Sequence, residues 1–585
     1  MSMTTTIKYK NKGLTSIWEE LVLNYAGITA VIDRYSDFEL TYKELHQLIL
    51  DFASGLQSMG LKKDDHVCLF SENSAKWLVA DQAVLMCGAV NAVRSSQAPT
   101  EELLYILNHS DSTVLIAENL ATVEKLKDYS LNFIICLSDE NILQDNVYSF
   151  KDVVALGKKQ EFNPVEIEKD DLATLVYTSG TTGKPKGVML THGNLLSQIT
   201  ALVEPLGISP GDKALNMLPT WHTYERTCEY YLLSRGVTMA YTNVINFKED
   251  IKRYNHHFLV SVPRIWEALH SGIHTELKKL PYTRQKLARF LLKTSETHIK
   301  ARRILTNMTI DGHNNKLHAL VSLCATYPAY KLGEKLIFKK IRSALGKNFK
   351  QGISGGGALA GYLENFYETV GINITVGYGL TETSPVLTLR KRHFNLRNSA
   401  GKPIPGTEIK IQDGVVFARG AQIMKGYYKD QQATNEILSP DGWLNTGDMG
   451  WLTPENDLIL TGRCKDIIVL SNGENIEPQP LEDALLQSPY ISQVMLIGQD
   501  QAHLGALIVL NPEASENPGI EKILKKELKE HIQKRPNFRT FEAIKCFRII
   551  DEPFSIENGL LTRTMKVKKP EVYKKYSYLV DEMFR

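Results

Sequence analysis

The chain has 585 residues, 43% of them apolar and 9% aromatic, with 68 Lys and Arg against 66 Asp and Glu for a formal net charge of +2. That length exceeds one core, since domains usually run about 100 to 200 residues, so several subdomains are expected. Near-neutrality argues against a whole-chain affinity for nucleic acid or membrane, and no run of about 18 apolar residues is present to span a bilayer.

Residues 1–13 are polar and basic without the apolar stretch of a secretory signal. Seven cysteines (Cys68, Cys87, Cys136, Cys228, Cys324, Cys464 and Cys546) are scattered without a CxxC or a Cys/His cluster. This predicts reduced thiols in a cytoplasmic setting and no zinc site.

Short β-branched runs alternate with helical patterns from the start. Strands are expected at 65–70, 113–117, 132–136 and 173–177, with a helix at 75–87, and this alternation predicts an α/β architecture with largely parallel sheets. The last of these strands runs into Val176-Tyr-Thr-Ser-Gly-Thr-Thr-Gly-Lys-Pro-Lys-Gly187. Its glycines let the backbone approach an anion, its Ser and Thr residues supply hydroxyl donors, and Lys184 and Lys186 add positive charge. The Walker pattern does not fit, because only two residues separate Gly180 from Gly183 and Pro185 follows Lys184. Thr191-His-Gly-Asn then opens a helix, an arrangement expected to aim amides at the bound anion.

A helix-rich insertion at about 270–342 is strongly basic, with fifteen Lys and Arg against Glu276, Glu296, Asp311 and Glu334 over 276–342. It reads as a solvated helical face, a surface for anionic lipid, or a dock for an acidic carrier protein. Beyond it come the glycine turn Gly352-Ile-Ser-Gly-Gly-Gly357 and, over 401–460, short strands between Gly, Pro and Asp turns that suggest a small β-subdomain. Gly462-Arg-Cys-Lys-Asp466 looks like a joint, and about 120 residues follow with their own strand and helix pattern.

With the phosphate loop, Gly377-Tyr-Gly-Leu-Thr-Glu-Thr383, Leu444-Asn-Thr-Gly-Asp-Met-Gly450 and the joint occur in the order and spacing of the adenylate-forming superfamily, which the chain resembles over nearly its whole length. Leu218-Pro-Thr-Trp-His-Thr-Tyr-Glu-Arg226, Val262-Pro-Arg-Ile-Trp-Glu267 and the insertion resemble its long-chain fatty acyl ligase branch. The ending Gly559-Leu-Leu-Thr-Arg-Thr-Met-Lys566, with Val93-Arg-Ser and Glu102-Leu-Leu-Tyr-Ile-Leu107, is similar to the acyl-carrier-protein ligases of cyanobacteria and plastids.

The resemblance implies an N-terminal adenylation domain (1–463) of stacked α/β subdomains plus a β-subdomain. A smaller, mobile α+β lid domain (464–585) would follow, hinged at Lys465. It implies ATP-dependent, AMP-forming activation of a medium- to long-chain fatty acid with Mg2+, then transfer to a thiol on CoA or holo-acyl carrier protein. Adenylation of another carboxylate, a luciferase-like adenylating oxidase and a degenerate binding protein are the rivals. Thr178, Ser179, Gly180, Thr181, Thr182, Gly183, Lys184 and Lys186 would hold the β- and γ-phosphates, and Thr178 and Glu382 the metal. Gly355, Gly356, Gly357, Tyr378 and Gly379 would face adenine, Thr381 the α-phosphate, and Asp448 with Arg463 the ribose. Lys566 would bridge carboxylate and α-phosphate, and His222 would stand between the nucleotide and acyl pockets. On the residues alone, Lys566 also reads as part of a solvated basic run, His222 and Tyr378 as core, and Asp448 as an Asx-turn.

Overall fold

The computed structural model describes residues 12–584 apart from 128, 141, 143, 179–183, 203–205, 311–314, 536–537 and 563–564. Its first sheet has eight strands, in the order Gly426–Tyr427, Lys186–Thr191, Leu172–Thr178, Val90–Arg94, His66–Phe70, Val114–Ala117, Phe133–Cys136 and Val147–Ser149. All pairs are parallel except those of Lys186–Thr191 with its two neighbours. The second sheet has nine strands and a parallel middle formed by Ile374–Gly379, Gln351–Ser354, Phe258–Ser261, Lys213–Asn216, Thr238–Tyr241 and Thr29–Asp33. Strands covered on both faces have no polar side to present, and Val67, Cys68, Leu69 and Phe70 are accordingly all fully buried.

A third sheet of four antiparallel strands, Glu408–Gln412, Val415–Arg419, Leu444–Leu452 and Leu458–Arg463, forms the expected β-subdomain. The chain then turns through Arg463, Cys464, Lys465 and Asp466, all exposed, and enters an α+β unit with its own core. Its sheet (Ile491–Ile497, Leu504–Leu510, Ile544–Ile550) buries side chains on both faces. Val494, Leu496, Leu504, Ala506 and Ile508 pack to one face with Leu481 and Leu524, whereas Met495, Ile497, Leu507 and Val509 pack to the other with Leu560, Val572 and Val580.

The basic insertion is helical, as expected: Pro263–Lys278, a hairpin of Tyr282–Leu305 and Lys316–Gly333, then Lys339–Ala344. No helix among the described residues is long and apolar enough to cross a membrane. One expectation fails. The helix His192–Ala201, N-capped by Thr191, does not start at the phosphate loop. The strand Lys186–Thr191 intervenes and folds back on Leu172–Thr178, pairing Thr178 with Lys186 and Leu172 with Thr191. The helix start therefore lies at the opposite end of this strand pair from Thr178 and Lys186, about 20 Å away at 3.4 Å per residue.

A buried polar cluster locks the helices between the two sheets. Asp81, on the helix Ala75–Met86, accepts from Asn91 Nδ2 at 2.8 Å and Gln82 Nε2 at 3.0 Å, and also from the Arg226 guanidinium and the Tyr230 hydroxyl. Arg226 in turn donates to Thr174 Oγ1 at 2.8 Å and Tyr230 Oη at 2.7 Å, and it lies over the Trp77 ring. Asp81 is 0% and Arg226 1% exposed, so removing one partner strands a charge out of water. Asp81→Ala is expected to cost about 3–5 kcal/mol, read as a lower denaturation midpoint with an unchanged slope, whereas Glu249→Ala, which breaks the surface pair with Arg34, should cost under about 1 kcal/mol.

Candidate active site

The carboxyl ends of the parallel strands from both large sheets open onto one cleft, the place where open α/β sheets bind ligands. Arg94 and Thr178 end strands of the first sheet, and Ser354 and Gly379 end strands of the second. The cleft has a volume of about 2780 Å³ and is also lined by residues of the C-terminal unit, including Asp466, Asp483 and Lys566. It exceeds the roughly 300–1,000 Å³ of a single small-molecule pocket, leaving room for more than one substrate.

Of the expected phosphate-binding residues, Thr178, Lys184 and Lys186 line or flank this cleft, while Ser179, Gly180, Thr181, Thr182 and Gly183 lie outside the described residues. Lys184 Nζ is 5.8 Å from the Tyr105 ring centroid, and Lys186 Nζ is 4.9 Å from that of Tyr427. Tyr427 Oη donates to Glu382 Oε1 at 2.8 Å. Tyr427 is held by the two-residue strand Gly426–Tyr427, which pairs with the strand after the loop. Thr381 and Glu382 sit on a single 3-10 turn, Thr381–Thr383, tied back by the Met424 N–H to the Glu382 carbonyl at 2.9 Å. Glu382 and Thr178 both line the cleft. A carboxylate and a hydroxyl are the oxygen donors a hard divalent cation prefers, and these two fit Mg2+.

Tyr378 and Asp448 are brought together across 70 residues: Tyr378 Oη donates to Asp448 Oδ2 at 2.8 Å, and Arg463 Nε pairs with Asp448 Oδ1 at 3.0 Å. The second contact follows from strand register, since Asp448 stands opposite Arg463 in the four-stranded sheet. The glycine turn has a partly different cause from the one expected. A Cβ on Gly355 would lie 2.7 Å from the Tyr224 ring, and Gly356 has φ +74°, whereas a Cβ on Gly357 would meet only Pro263 at 3.5 Å. Internal packing thus fixes Gly355, backbone conformation favours glycine at Gly356, and Gly357 borders open cleft. Gly379 is similarly constrained from within, because its Cβ would fall on the Pro385 carbonyl.

His222 caps the helix Thr223–Leu233, its Nδ1 accepting the Tyr224 N–H at 3.2 Å. The proton of the neutral ring therefore belongs on Nε2. Burial, with the nearby Lys566 and Arg94 charges, pushes its pKa down to about 4, so the ring is a neutral donor at working pH. Lys566 sits at the tip of a turn closed by the Leu561 and Val567 bridge, with its N–H on Thr562 Oγ1 at 3.0 Å. Lys566 lines the cleft and is exposed to it. Enclosure and the Arg463 charge lower its pKa to about 8, against the opposing pull of Asp448 and Asp466.

Several wall residues were not expected. Arg94 donates to the Tyr177 carbonyl at 3.2 Å, pairs with Glu102 and lies over the Trp221 ring, whose Nε1 donates to Glu72 at 3.3 Å. An apolar branch of the cleft is lined by Leu202, Leu206, Cys228, Tyr231, Leu232 and Val386. The helix-face spacing of Cys228, Tyr231 and Leu232 was visible in sequence, but nothing there linked it to Val386. All seven cysteines are free thiols.

Comparison with known proteins agrees with this architecture. Residues 18–428 match the model of the AMP-binding enzyme family, and residues 465–585 that of the AMP-binding enzyme C-terminal domain. The chain is 38% identical to the probable acyl-activating enzyme 16, chloroplastic, of Arabidopsis thaliana, over 98% of this chain and 89% of that one. It is also 38% identical to the long-chain-fatty-acid–[acyl-carrier-protein] ligase AEE15, chloroplastic, of the same plant, over 98% and 87%. The anthranilate CoA ligase AuaEII, solved with anthranoyl-AMP, superposes with a TM-score of 0.75 over 98% of both chains at 18% identity, which is a likeness of fold. The chain belongs to the AMP-binding enzyme family, the adenylate-forming superfamily of ATP-dependent acyl-activating enzymes.

Proposed function

We propose that the protein is an acid–thiol ligase that activates medium- to long-chain fatty acids and passes the acyl group to a pantetheine thiol, on acyl carrier protein or on CoA. The observation that carries this is the joining, in one cleft, of an apolar branch beside Tyr231 and Val386 to a polar branch holding Glu382, Asp448 and Lys566. The full-length similarity to a chloroplast long-chain acyl-carrier-protein ligase supports the substrate class and favours the carrier protein as acceptor.

In the first step a carboxylate oxygen attacks the α-phosphorus of ATP, the bond to pyrophosphate breaks, and acyl-AMP forms. Two anions must meet, so the barrier is largely electrostatic. Lys566 and the Nε2–H of His222 converge near that meeting point, where an ammonium neutralises both partners and a neutral imidazole donates without repelling the lysine. Asp448, held by Tyr378 and Arg463, accepts the ribose hydroxyls. Thr178, Lys184, Lys186 and the loop between them take the β- and γ-phosphates. Thr178 and Glu382 would hold Mg2+, whose charge screens the phosphates when bound. In the second step a thiol sulfur attacks the acyl carbonyl, AMP leaves with the former carboxylate oxygen, and the thiol proton passes to solvent. We place the swing between the two steps at Lys465, in the exposed turn joining the two cores, with the lid as 464–585.

Fatty-acid-dependent pyrophosphate release, followed by AMP release with holo-carrier protein or CoA added separately, tests the whole reading; no release with any chain length removes it. Lys566→Ala should lower acyl-AMP formation by about two to four powers of ten and leave thioester formation from supplied acyl-AMP nearly intact. Equal loss of both steps would rule out the bridging role.

Because the Lys566 pKa is lowered to about 8, its charged form is lost as pH rises through that value. Adenylation kcat/KM, which reports the free enzyme, should be level below about pH 7 and fall about tenfold per unit above about 8. Lys566→Arg, charged throughout, should be slower but lack that alkaline limb. Finally, Lys465→Pro fixes φ near −65° and should spare pyrophosphate release more than thioester formation, measured separately; normal rates for both would move the hinge elsewhere.

A further inference from the structure

Nine of the sixteen large apolar side chains exposed among the described residues fall within 282–336: Tyr282, Leu287 and Phe290 on the first hairpin helix, and Leu317, Leu320, Val321, Tyr327, Leu332 and Leu336 on or just past the second. The helices are antiparallel, with His298 stacked on Tyr330 at 4.6 Å and its Nδ1 3.1 Å from Thr326 Oγ1. Only Ala319 and Gly333 of the helix Lys316–Gly333 are buried. Its outward residues Leu317, Val321, Cys324 and Leu332 recur at intervals of three, four or eight, so they share one face. Leu317 is 71%, Val321 62% and Phe290 61% exposed.

The same surface carries cations outside the ion pairs of the described residues. Lys286, Arg289, Lys293, Lys316, Lys331 and Lys335 make no ion pair among the described residues, whereas Arg302, Arg303 and Arg342, nearer the protein body, are paired with Glu368 or Glu334. Two of the free lysines lie over exposed tyrosines, Lys286 at 4.7 Å from the Tyr282 ring and Lys331 at 5.5 Å from that of Tyr327. Tyrosine with an adjacent lysine suits a boundary that is apolar on one side and anionic on the other.

We infer that the hairpin is a docking surface for anionic lipid, laid in the interface with its apolar face among the acyl chains and its lysines among the headgroups. Charge complementarity selects this occupant. A second copy would bring like charge against like, the excess over 276–342 being eleven per chain, fifteen basic residues less four acidic. An acidic carrier protein would be met by the lysines alone and leaves the exposed apolar row unexplained. The inference rests on the fatty-acid reading for its purpose, since fatty acids partition into membranes, but its binding does not depend on that reading.

The test is sedimentation of the full chain with vesicles of phosphatidylglycerol and phosphatidylcholine, against vesicles of phosphatidylcholine alone, at low and high salt. The protein should sediment with the anionic vesicles only, and less at high salt. The triple variant Lys286→Gln, Lys316→Gln, Lys331→Gln should partition on the order of 100-fold more weakly, each basic residue being worth about a factor of five. Phe290→Ser, Leu317→Ser, Val321→Ser should lose binding comparably. Both variants should keep the parent melting temperature and the rate of pyrophosphate release with a water-soluble medium-chain acid. Absence of sedimentation, or sedimentation unaffected in both variants, overturns the inference, as does a raised KM for holo-carrier protein in the lysine variant with vesicle binding unchanged. Sedimentation without any fatty-acid-dependent pyrophosphate release would instead remove the proposed activity and leave the surface standing.

Discussion

The buried Asp81–Arg226 pair constrains much of what surrounds it. A guanidinium with 1% exposure is tolerable only if its donors are met, and here they are met by Asp81, Tyr230 and Thr174, contributed by two helices and a strand. That requirement fixes the rotation of the helix Thr223–Leu233 about its axis. The same rotation sets His222 at its N-terminus and turns Cys228 and Tyr231 toward the apolar branch of the cleft. The ion pair contributes little net stability compared with an apolar replacement of equal shape. Its effect is to exclude other packings of that helix between the two sheets.

The cleft answers an electrostatic problem by distributing charge over separate elements. Lys184 and Lys186 come from the entry to the strand Lys186–Thr191 of the first sheet, Arg463 from the last strand of the β-subdomain, and Lys566 from the C-terminal unit. Each is steadied by a different partner: an aromatic face for the first two, and Asp448 for Arg463. At Lys566, desolvation and the Arg463 charge outweigh the opposing pull of Asp448 and Asp466, hence its lowered pKa. An ammonium held this way gains more from an arriving anion than one already paired would.

The legible parts of the sequence were those governed by short-range periodicity. Continuous β-branched runs marked the interior strands because burial on both faces leaves no polar alternation, and Thr191 marked a helix start because its side chain caps Asn194. The position of that helix relative to the loop was misread, because the strand Lys186–Thr191 is too short for periodicity to separate it from a loop. Tyr427 was invisible for a related reason: a two-residue strand has no period, and its contact with Glu382 spans 45 residues. Gly355 stood out in the sequence as a binding residue, and packing against Tyr224 supplies a reason for it from within the fold. The acyl wall could not be assembled from sequence, since Leu202, Tyr231 and Val386 meet only after three separate segments have packed.

The C-terminal sheet buries both faces within its own unit, drawing no residue before Ile468 into its core clusters. The protein therefore has two thresholds of failure. A lesion at Leu507 or Ile508 undermines the unit that carries Lys566, whereas the two large sheets draw on other cores. Such a chain would keep the larger core and lose the position of Lys566. A lesion at Asp81 strikes the larger core instead and lowers the stability of the part that carries both large sheets. Damage at opposite ends of the sequence thus acts on different cores.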